Sequence, residues 1–246
     1  MIDILSPMDV FDSIAEFERT GKRANVSILD PWYNKGLGGT RDDYLSFIEE
    51  ILIRLCRFSD HVYLWGFPEI VATFLPFIPK THKLECWLTW YYKNNPSVIR
   101  GWRSSQQACL HLRTEDAAMY PQHFLNEVQL EKLREGKLRY MPGPASVLEA
   151  ALNIGFVGRS EQTGHPAQKP ESIYKSLILM ATVEGNLVFD PMCGSGTTGA
   201  VCKRLGRVAV LGDMNPEYIE ITRARLAKVY PDSTSVDDRF DFAIGQ

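Results

Sequence analysis

Short apolar runs alternate with amphipathic segments along most of this chain. Runs rich in β-branched and aromatic residues are typical of buried strands, and they predict strands at 25–29, 62–65, 84–92, 108–112, 187–189 and 208–211. Apolar positions with a helical period predict helices at 42–58, 68–75, 122–139, 145–152, 171–182 and 216–228, with a further short helix ending at Leu205. Regular alternation of strand and helix predicts an α/β protein.

The last third of the chain shows this alternation most clearly. A glycine-rich turn at 193–199 joins the strand at 187–189 to a helix, and the strand at 208–211 follows. Two parallel strands need such a crossover helix, and strands joined in this way normally lie in a doubly wound sheet. The segment therefore predicts a β-α-β unit.

Composition narrows the class of protein. Of 246 residues, 45% are hydrophobic and 23% are charged, which excludes fibrous, disordered and disulfide-scaffold proteins. No apolar run approaches the roughly 20 residues of a membrane-spanning helix, and the first residues lack the features of a secretory signal. We therefore expect a soluble, cytoplasmic protein with no membrane partner.

Charge and metal-ligand spacing limit the partners further. A formal net charge of −3 gives no general attraction to nucleic acid, so such a partner requires a local basic surface. The five cysteines include no Cys-x-x-Cys pair and are predicted to be buried thiols. We expect no metal site and structural roles for four histidines without ligand spacing, His61, His82, His111 and His123.

The glycine-rich turn has the features of a nucleotide site. Glycines directly after a buried strand let the chain turn tightly and let a ligand approach the backbone. Asp213 ends the next strand, about twenty residues on, where a carboxylate can accept hydrogen bonds from ribose hydroxyls. The turn lacks the Gly-Lys-Ser/Thr of a P-loop, which disfavours a phosphate-gripping loop. A nicotinamide-dependent oxidoreductase is a remote alternative.

A second polar motif follows the strand at 25–29. The sequence Asp-Pro-Trp-Tyr-Asn at 30–34 lies at the carboxyl end of a strand, where open α/β sheets place their ligands. An acceptor beside two aromatic rings suits a flat heterocycle with an exocyclic amine. The alternative is a strand-ending turn whose rings pack into the core.

Four ordered motifs together resemble one enzyme family, the β-class, circularly permuted S-adenosylmethionine-dependent amino-methyltransferases acting on adenine N6. The motif at 30–34 resembles their catalytic Asp-Pro-Pro-Tyr-Asn, with Trp32 in place of the second proline. The segments 189–199, 165–170 and 212–218 are similar to their cofactor loop, to the segment before it and to the Gly-acid-x-Asn-Pro-x-Tyr pattern after it. The resemblance covers most of residues 20–228, with the weakest match between 100 and 160.

The resemblance implies a fold and a reaction. The fold would be a doubly wound, mostly parallel, seven-stranded Rossmann-like methyltransferase sheet in a single domain, 1–246, with a small target-recognition insert at approximately 100–160. The reaction would be transfer of a methyl group from S-adenosylmethionine to the N6 amine of a flipped adenine in DNA, as in restriction-modification systems. A homodimer or a partner subunit would enlarge the DNA footprint of so short an insert.

The resemblance also assigns residues. Asp30 and the carbonyl of Pro31 would accept the hydrogens of the amine, Tyr33 would stack on the base, and Trp32 would thicken the stacking wall or change how the base enters. The expected cofactor-binding residues are Asp190, Pro191, Cys193, Gly194, Ser195, Gly196, Thr197, Asp213, Met214, Asn215, His165 and Lys169. For the last two, a turn role of the proline-flanked segment is the alternative.

Three other functions stay open at this point. Transfer to adenine in RNA and transfer to cytosine N4 in DNA use the same chemistry, although Asp30 at the first motif position favours adenine over cytosine. A catalytically silent nucleic-acid-binding subunit belongs to another class. An intact Asp30 and intact glycines argue against it, because a decayed site has no reason to keep both.

A basic and aromatic strip is the expected nucleic-acid contact. Residues 88–114 contain no acid, and the strip's candidate contacts are Lys93, Arg100, Trp102, Arg103 and Arg113. The alternative is a solvated loop beside two core strands. The glycines at 36–39 could form a loop that closes over the bound base, or a simple linker.

Overall fold

The computed structural model describes residues 1–34, 39–95 and 101–232. In these ranges one eight-stranded sheet runs in the order β1-β8-β7-β2-β3-β5-β4-β6. The strands are β1 (Ile2–Ile4), β2 (Ala24–Leu29), β3 (Ser59–Gly66), β4 (Lys83–Tyr91), β5 (Gln106–Arg113), β6 (Val147–Glu149), β7 (Leu187–Asp190) and β8 (Val208–Leu211). The helices are α1 (Val10–Arg19), α2 (Tyr44–Phe58), α3 (Pro68–Val71), α4 (Glu127–Arg134), α5 (Glu171–Ala181), α6 (Thr197–Arg204) and α7 (Pro216–Leu226), with 3₁₀ turns at Ala72–Phe77 and Pro121–Phe124.

Strand pairing places the ends of four strands at one edge of the sheet. Strands β1, β8, β7, β2 and β3 pair in parallel, so β2, β3, β7 and β8 all finish at this carboxyl edge. Strand β5 is antiparallel to β3, with Ala108 opposite Gly66, and therefore begins where β3 ends. Ligand sites of open α/β sheets lie at such an edge.

Hydrophobic layers cover both faces of the sheet. Successive residues of a strand point to opposite faces. Thus Tyr63 and Trp65 of β3 join the layer built with α5, α6 and α7, whereas Val62 and Leu64 join the layer built with α1 and α2. The doubly wound α/β architecture predicted from the sequence is confirmed.

The observed sheet differs from the predicted sheet at its two edges. It has eight strands in the described ranges, whereas the resemblance implied seven and the apolar runs predicted six. The two short edge strands β1 and β6 were not predicted, nor was helix α1. The helix predicted at 145–152 is wrong. Residues Val147–Glu149 form β6 and pair with β4, where the Thr89 amide bonds the carbonyl of Ser146. An apolar run this short fits either a strand or a helix, and here the open edge of β4 selects the strand.

The charged helix predicted at 122–139 is shorter in the structure. Helix α4 begins at a capping box in which Asn126 and Gln129 bond each other's backbone amides. The helix ends before Gly136, whose φ is +66°. The capping box and the glycine thus set its length. The predicted insert at 100–160 also includes β5, a strand of the central sheet, so only the parts on either side of β5 lie outside the sheet's centre.

The structure shows where the cysteines lie and which hydrogen bonds the buried histidines make. All five cysteines, each within the described residues, are free thiols, and every one except Cys86 is buried. Buried His61 and His111 bond each other at 2.9 Å, and His123 bonds the Leu179 carbonyl at 2.7 Å. The part of the chain that the structure describes contains no group of three or more ligand side chains placed to hold a metal ion. None of its helices has the length and apolar character needed to cross a membrane.

Candidate active site

A buried ion pair occupies the carboxyl edge of the sheet. The ammonium nitrogen of Lys169 lies 2.7 Å from Asp30 Oδ1 and 2.6 Å from Oδ2, and the Tyr174 hydroxyl donates to Oδ2 at 3.0 Å. The side chain of Lys169 is 3% exposed and that of Asp30 is 15% exposed. Burial lowers the pKa of Lys169, but the Asp30 carboxylate and the Tyr33 hydroxyl outweigh burial and raise that pKa above its usual value. The pair therefore holds the Asp30 carboxylate in one orientation.

Tyr33 belongs to the same hydrogen-bond network. Its hydroxyl accepts a bond from Lys169 at 3.1 Å and donates to Gln107 Oε1 at 2.9 Å. Its ring leans against Phe67, with ring centres 4.7 Å apart, and burial raises the pKa of its hydroxyl. Lys169 thus fixes both the acidic group and the aromatic ring of the motif. Pro31, between these residues, is buried.

Trp32 faces the opposite side of the motif. Its ring packs edge-on against Tyr44 and Phe47 of α2, at 5.3 and 5.7 Å, and its indole N–H donates to the Gly39 carbonyl at 3.2 Å. The Tyr44 hydroxyl donates to the Trp32 carbonyl at 2.6 Å. Trp32 therefore anchors the motif to α2, which differs from the stacking wall expected from the sequence.

Asn34 closes the loop that follows the motif. Its φ is +52°, and its side chain bonds both the amide and the carbonyl of Arg41, at 2.6 and 3.0 Å. Asparagine is one of the few residues that tolerates this left-handed conformation. Residues 35–38 lie outside the described ranges, so the closing loop predicted at 36–39 stays a prediction.

The glycine-rich turn is built around Asp190, the last residue of β7. Asp190 is buried, and its carboxylate accepts bonds from the Thr198 hydroxyl and from the Met192 amide. Burial raises its pKa to about 7. Gly196 has a φ of +73°, and a Cβ there would lie 2.7 Å from Thr222 Cγ2. Only glycine fits this position, at the start of α6.

Ser195 and Thr197 face the protein interior instead of the open edge. The Arg225 guanidinium of α7 donates to the Ser195 carbonyl at 3.1 Å and to Thr197 Oγ1 at 3.0 Å, and it pairs with Glu171 at 2.8 Å. The Thr197 hydroxyl donates to the Lys169 carbonyl at 3.1 Å. Both residues predicted to bind the cofactor thus have buried side chains, and Thr197 ties the turn to the segment carrying Lys169.

Asp213 joins the end of β8 to the glycine-rich turn. Its carboxylate accepts from the Gly194 amide at 2.9 Å and from the Asn215 amide at 2.8 Å, and burial raises its pKa. The side chain of Asn215 caps α7 by accepting from the Glu217 amide at 2.9 Å, so its role is structural. Met214, between these residues, is largely exposed.

Of the remaining predicted cofactor residues, three lie at the glycine-rich turn and one lies at the acidic-aromatic motif. His165 lies beside the turn: a Cβ at Gly194 would be 3.0 Å from His165 Nε2, and its ring packs edge-on to Tyr218 at 4.3 Å. Pro191 and Cys193 are buried in the turn, and the Cys193 amide bonds the Gly212 carbonyl at 2.9 Å. Lys169, expected at the cofactor, instead contacts Asp30.

The predicted basic strip separates into two groups. Trp102 is 93% exposed, Arg103 is exposed, and exposed Lys93 pairs with Glu149 at 2.6 Å, all near the carboxyl edge. Arg100 lies outside the described residues.

The structure contradicts the predicted nucleic-acid contact of Arg113. This residue lies at the other end of β5, opposite His61, and its guanidinium bonds Glu85 and the carbonyls of Glu115 and Ala117.

Sequence reasoning missed three residues that the structure brings to the site: Gln107, Tyr174 and Arg225. Gln107 is a buried polar residue in a strand, and Arg225 is a buried charge in a helix. A polar side chain on the buried face of a predicted element was the available signal for both. Tyr174 gave no such signal, because a tyrosine in an apolar helix is also ordinary core.

The fold is Rossmann-like, and an acidic-aromatic motif and a glycine-rich turn meet at one edge of its sheet. Residues 24–224 match the DNA methylase family of N6 and N4 methyltransferases, and the chain belongs to this family.

Named relatives and a solved structure agree with the match. The chain is 29% identical over 235 residues to the type II methyltransferase M.HpaI of Haemophilus parainfluenzae, covering 87% of this chain and 72% of that one. It is 25% identical over 242 residues to the DNA adenine methyltransferase YhdJ of Escherichia coli K12, covering 87% and 80%. The crystal structure of the M1.HpyAVI–SAM complex superposes with a TM-score of 0.71 at 21% identity, over 92% of this chain and 99% of that chain.

Proposed function

We propose that this protein transfers a methyl group from S-adenosylmethionine to the N6 amine of an adenine flipped out of DNA. The observation that carries the proposal is the position of Asp30. Its carboxylate is held by Lys169 and Tyr174 beside the ring of Tyr33, at the edge where the glycine-rich turn also lies.

The reaction needs a hydrogen-bond acceptor at the position of Asp30. The lone pair of an adenine amine is delocalised into the ring, so the amine is a poor nucleophile. An Asp30 oxygen and the Pro31 carbonyl would accept its two hydrogens and direct the lone pair to the methyl group. Transfer would form the N–C bond and break the bond between the methyl carbon and the sulfonium sulfur, which would leave as a neutral thioether. The amine would lose one proton toward Asp30. Tyr33, fixed by Lys169 and Gln107, would stack on the flipped base.

The residues of the second motif fit S-adenosylmethionine. Gly194 and Gly196 let the turn pack closely against His165 and Thr222. The Asp213 carboxylate suits ribose hydroxyls, and exposed Met214 suits a flat purine ring. When bound, S-adenosylmethionine supplies the electrophilic methyl group on its sulfonium sulfur. Ser195 and Thr197 would contribute through backbone groups of the turn, because Arg225 bonds the Ser195 carbonyl and the Thr197 hydroxyl.

Adenine in DNA is preferred over the other substrates on two grounds. Asp30 stands at the first position of the catalytic motif, and one named relative is a DNA adenine methyltransferase. The type II relative supports a role in restriction-modification. We further propose a cytoplasmic location, a target-recognition role for the parts of 100–160 outside β5, and a homodimer or partner subunit that enlarges the DNA contact.

The direct experiment supplies labelled S-adenosylmethionine with duplex DNA, single-stranded DNA or RNA and analyses the nucleosides. We expect N6-methyladenine in duplex DNA. N4-methylcytosine, or methylation of RNA alone, would replace the proposed substrate. Absence of transfer together with DNA binding would favour the silent-subunit alternative.

A further inference from the structure

We propose that Phe156, with Arg159 behind it, fills the gap that the flipped adenine leaves in duplex DNA. This inference rests on the proposed function and adds the element that stabilises the opened duplex. The loop concerned, residues 153–162, leads into the segment that carries Lys169.

The loop presents an aromatic ring to solvent on a braced backbone. The Gln162 amide donates to the carbonyls of Gly155 and Val157, at 3.2 and 2.5 Å. Gly158 has a φ of +66°, and a Cβ there would lie 2.1 Å from Asn153 Oδ1, so only glycine fits the turn. These contacts brace the backbone of the loop, and the Phe156 side chain is 82% exposed.

Both ends of the loop are fastened at the catalytic edge. At its start, Leu152 exchanges two hydrogen bonds with Asn94, at 2.8 and 2.9 Å, just after strand β4. At its end, Gln168 donates to the Glu161 carbonyl at 2.6 Å, and the next residue is Lys169, which binds Asp30. Both ends of the loop therefore lie at the edge where the flipped base would be held.

The surroundings of the ring favour DNA as its partner. The Arg159 guanidinium lies 4.4 Å over the Phe156 ring, so a cation accompanies the apolar side chain. The neighbouring loop after β4 carries exposed Trp102 and Arg103 at the same edge. Apolar side chains inserted between base steps, with cations on the phosphates, are a recurrent way to hold an opened duplex.

The test compares wild type and Phe156→Ala on two duplexes that contain the methylation site found with the wild-type enzyme. In one duplex the target adenine is paired with thymine, and in the other it faces an abasic site. An unpaired base is easier to flip, so the second duplex needs the ring less. On the paired duplex we expect kcat/KM to fall about 10-fold in Phe156→Ala. On the abasic duplex we expect a value within about 2-fold of wild type.

Two further variants serve as controls for this comparison. Phe156→Trp keeps a stacking ring and should restore activity on the paired duplex. Tyr230→Ala removes a similarly exposed ring beyond the end of α7 and should leave both activities unchanged. Equal activity of wild type and Phe156→Ala on the paired duplex overturns the inference, and so does an equal loss on both duplexes. A wild-type enzyme that methylates no DNA defeats the proposed function itself, and the inference with it.

Discussion

Lys169 lies within 2.7 Å of both carboxylate oxygens of Asp30, although 139 residues separate the two in the sequence. The lysine also donates to the Tyr33 hydroxyl, so one buried cation holds the Asp30 carboxylate and the Tyr33 side chain together. Its backbone carbonyl accepts a bond from Thr197 of the glycine-rich turn. The two motifs found in the sequence are thereby joined through Lys169.

Lys169→Met should leave Asp30 as a buried charge without its partner. We expect a loss of stability on the order of 3–5 kcal/mol, together with loss of methyl transfer. Denaturant unfolding and turnover measure the two effects. Asp30→Asn combined with Lys169→Met should recover part of the stability but none of the activity. A Lys169→Met protein with wild-type stability and turnover would show that Lys169 does not organise the site.

Arg225→Met should loosen the glycine-rich turn, because the guanidinium bonds Ser195, Thr197 and Glu171. We expect weaker S-adenosylmethionine binding by calorimetry and a loss of stability of about 3 kcal/mol. Arg223→Ala is the matched control on the same helix, since its pair with Glu220 is exposed. That control should change stability by less than about 1 kcal/mol. Equal behaviour of the two variants would contradict the role of Arg225.

Asp190 should make stability depend on pH. Its pKa of about 7 in the folded protein lies above the ordinary value of 3.8, so the folded state binds a proton more tightly than the unfolded state. Its contribution to stability is therefore complete below about pH 4 and falls as the pH rises toward 7, by at most about 1.4 kcal/mol per unit. Relative to wild type, Asp190→Asn should gain stability as the pH rises over this range. A constant difference between the two unfolding curves would show that Asp190 does not titrate there.

Arg103 and Arg113 should behave differently, although both were predicted from sequence to contact DNA. Arg103→Ala should weaken DNA binding and lower the salt dependence by about one counterion. Arg113→Ala should leave the salt dependence unchanged and reduce stability, because its guanidinium is used within the protein. Affinity measured against salt concentration separates them. A salt slope altered by Arg113→Ala and not by Arg103→Ala would reverse the assignment.

Much of the fold could be predicted because the central strands β2 and β3 are buried on both faces and rich in apolar and aromatic residues, as at 62–65. Their parallel arrangement also placed Asp30 and Asp213 correctly at one edge. The sequence could not show which end of β5 would reach that edge, and this decides the roles of Gln107 and Arg113. Nor could it show that Lys169 binds Asp30, because no periodicity reports a contact between such distant segments.

The most direct test of the central claim is methyl transfer by Asp30→Ala, measured beside S-adenosylmethionine binding. We expect the wild type to form N6-methyladenine in duplex DNA. The variant should lose on the order of 10²-fold or more in rate, because a preorganised acceptor is gone. Cofactor affinity should survive, since the turn and Asp213 are untouched. Near-normal turnover in Asp30→Ala would contradict the account.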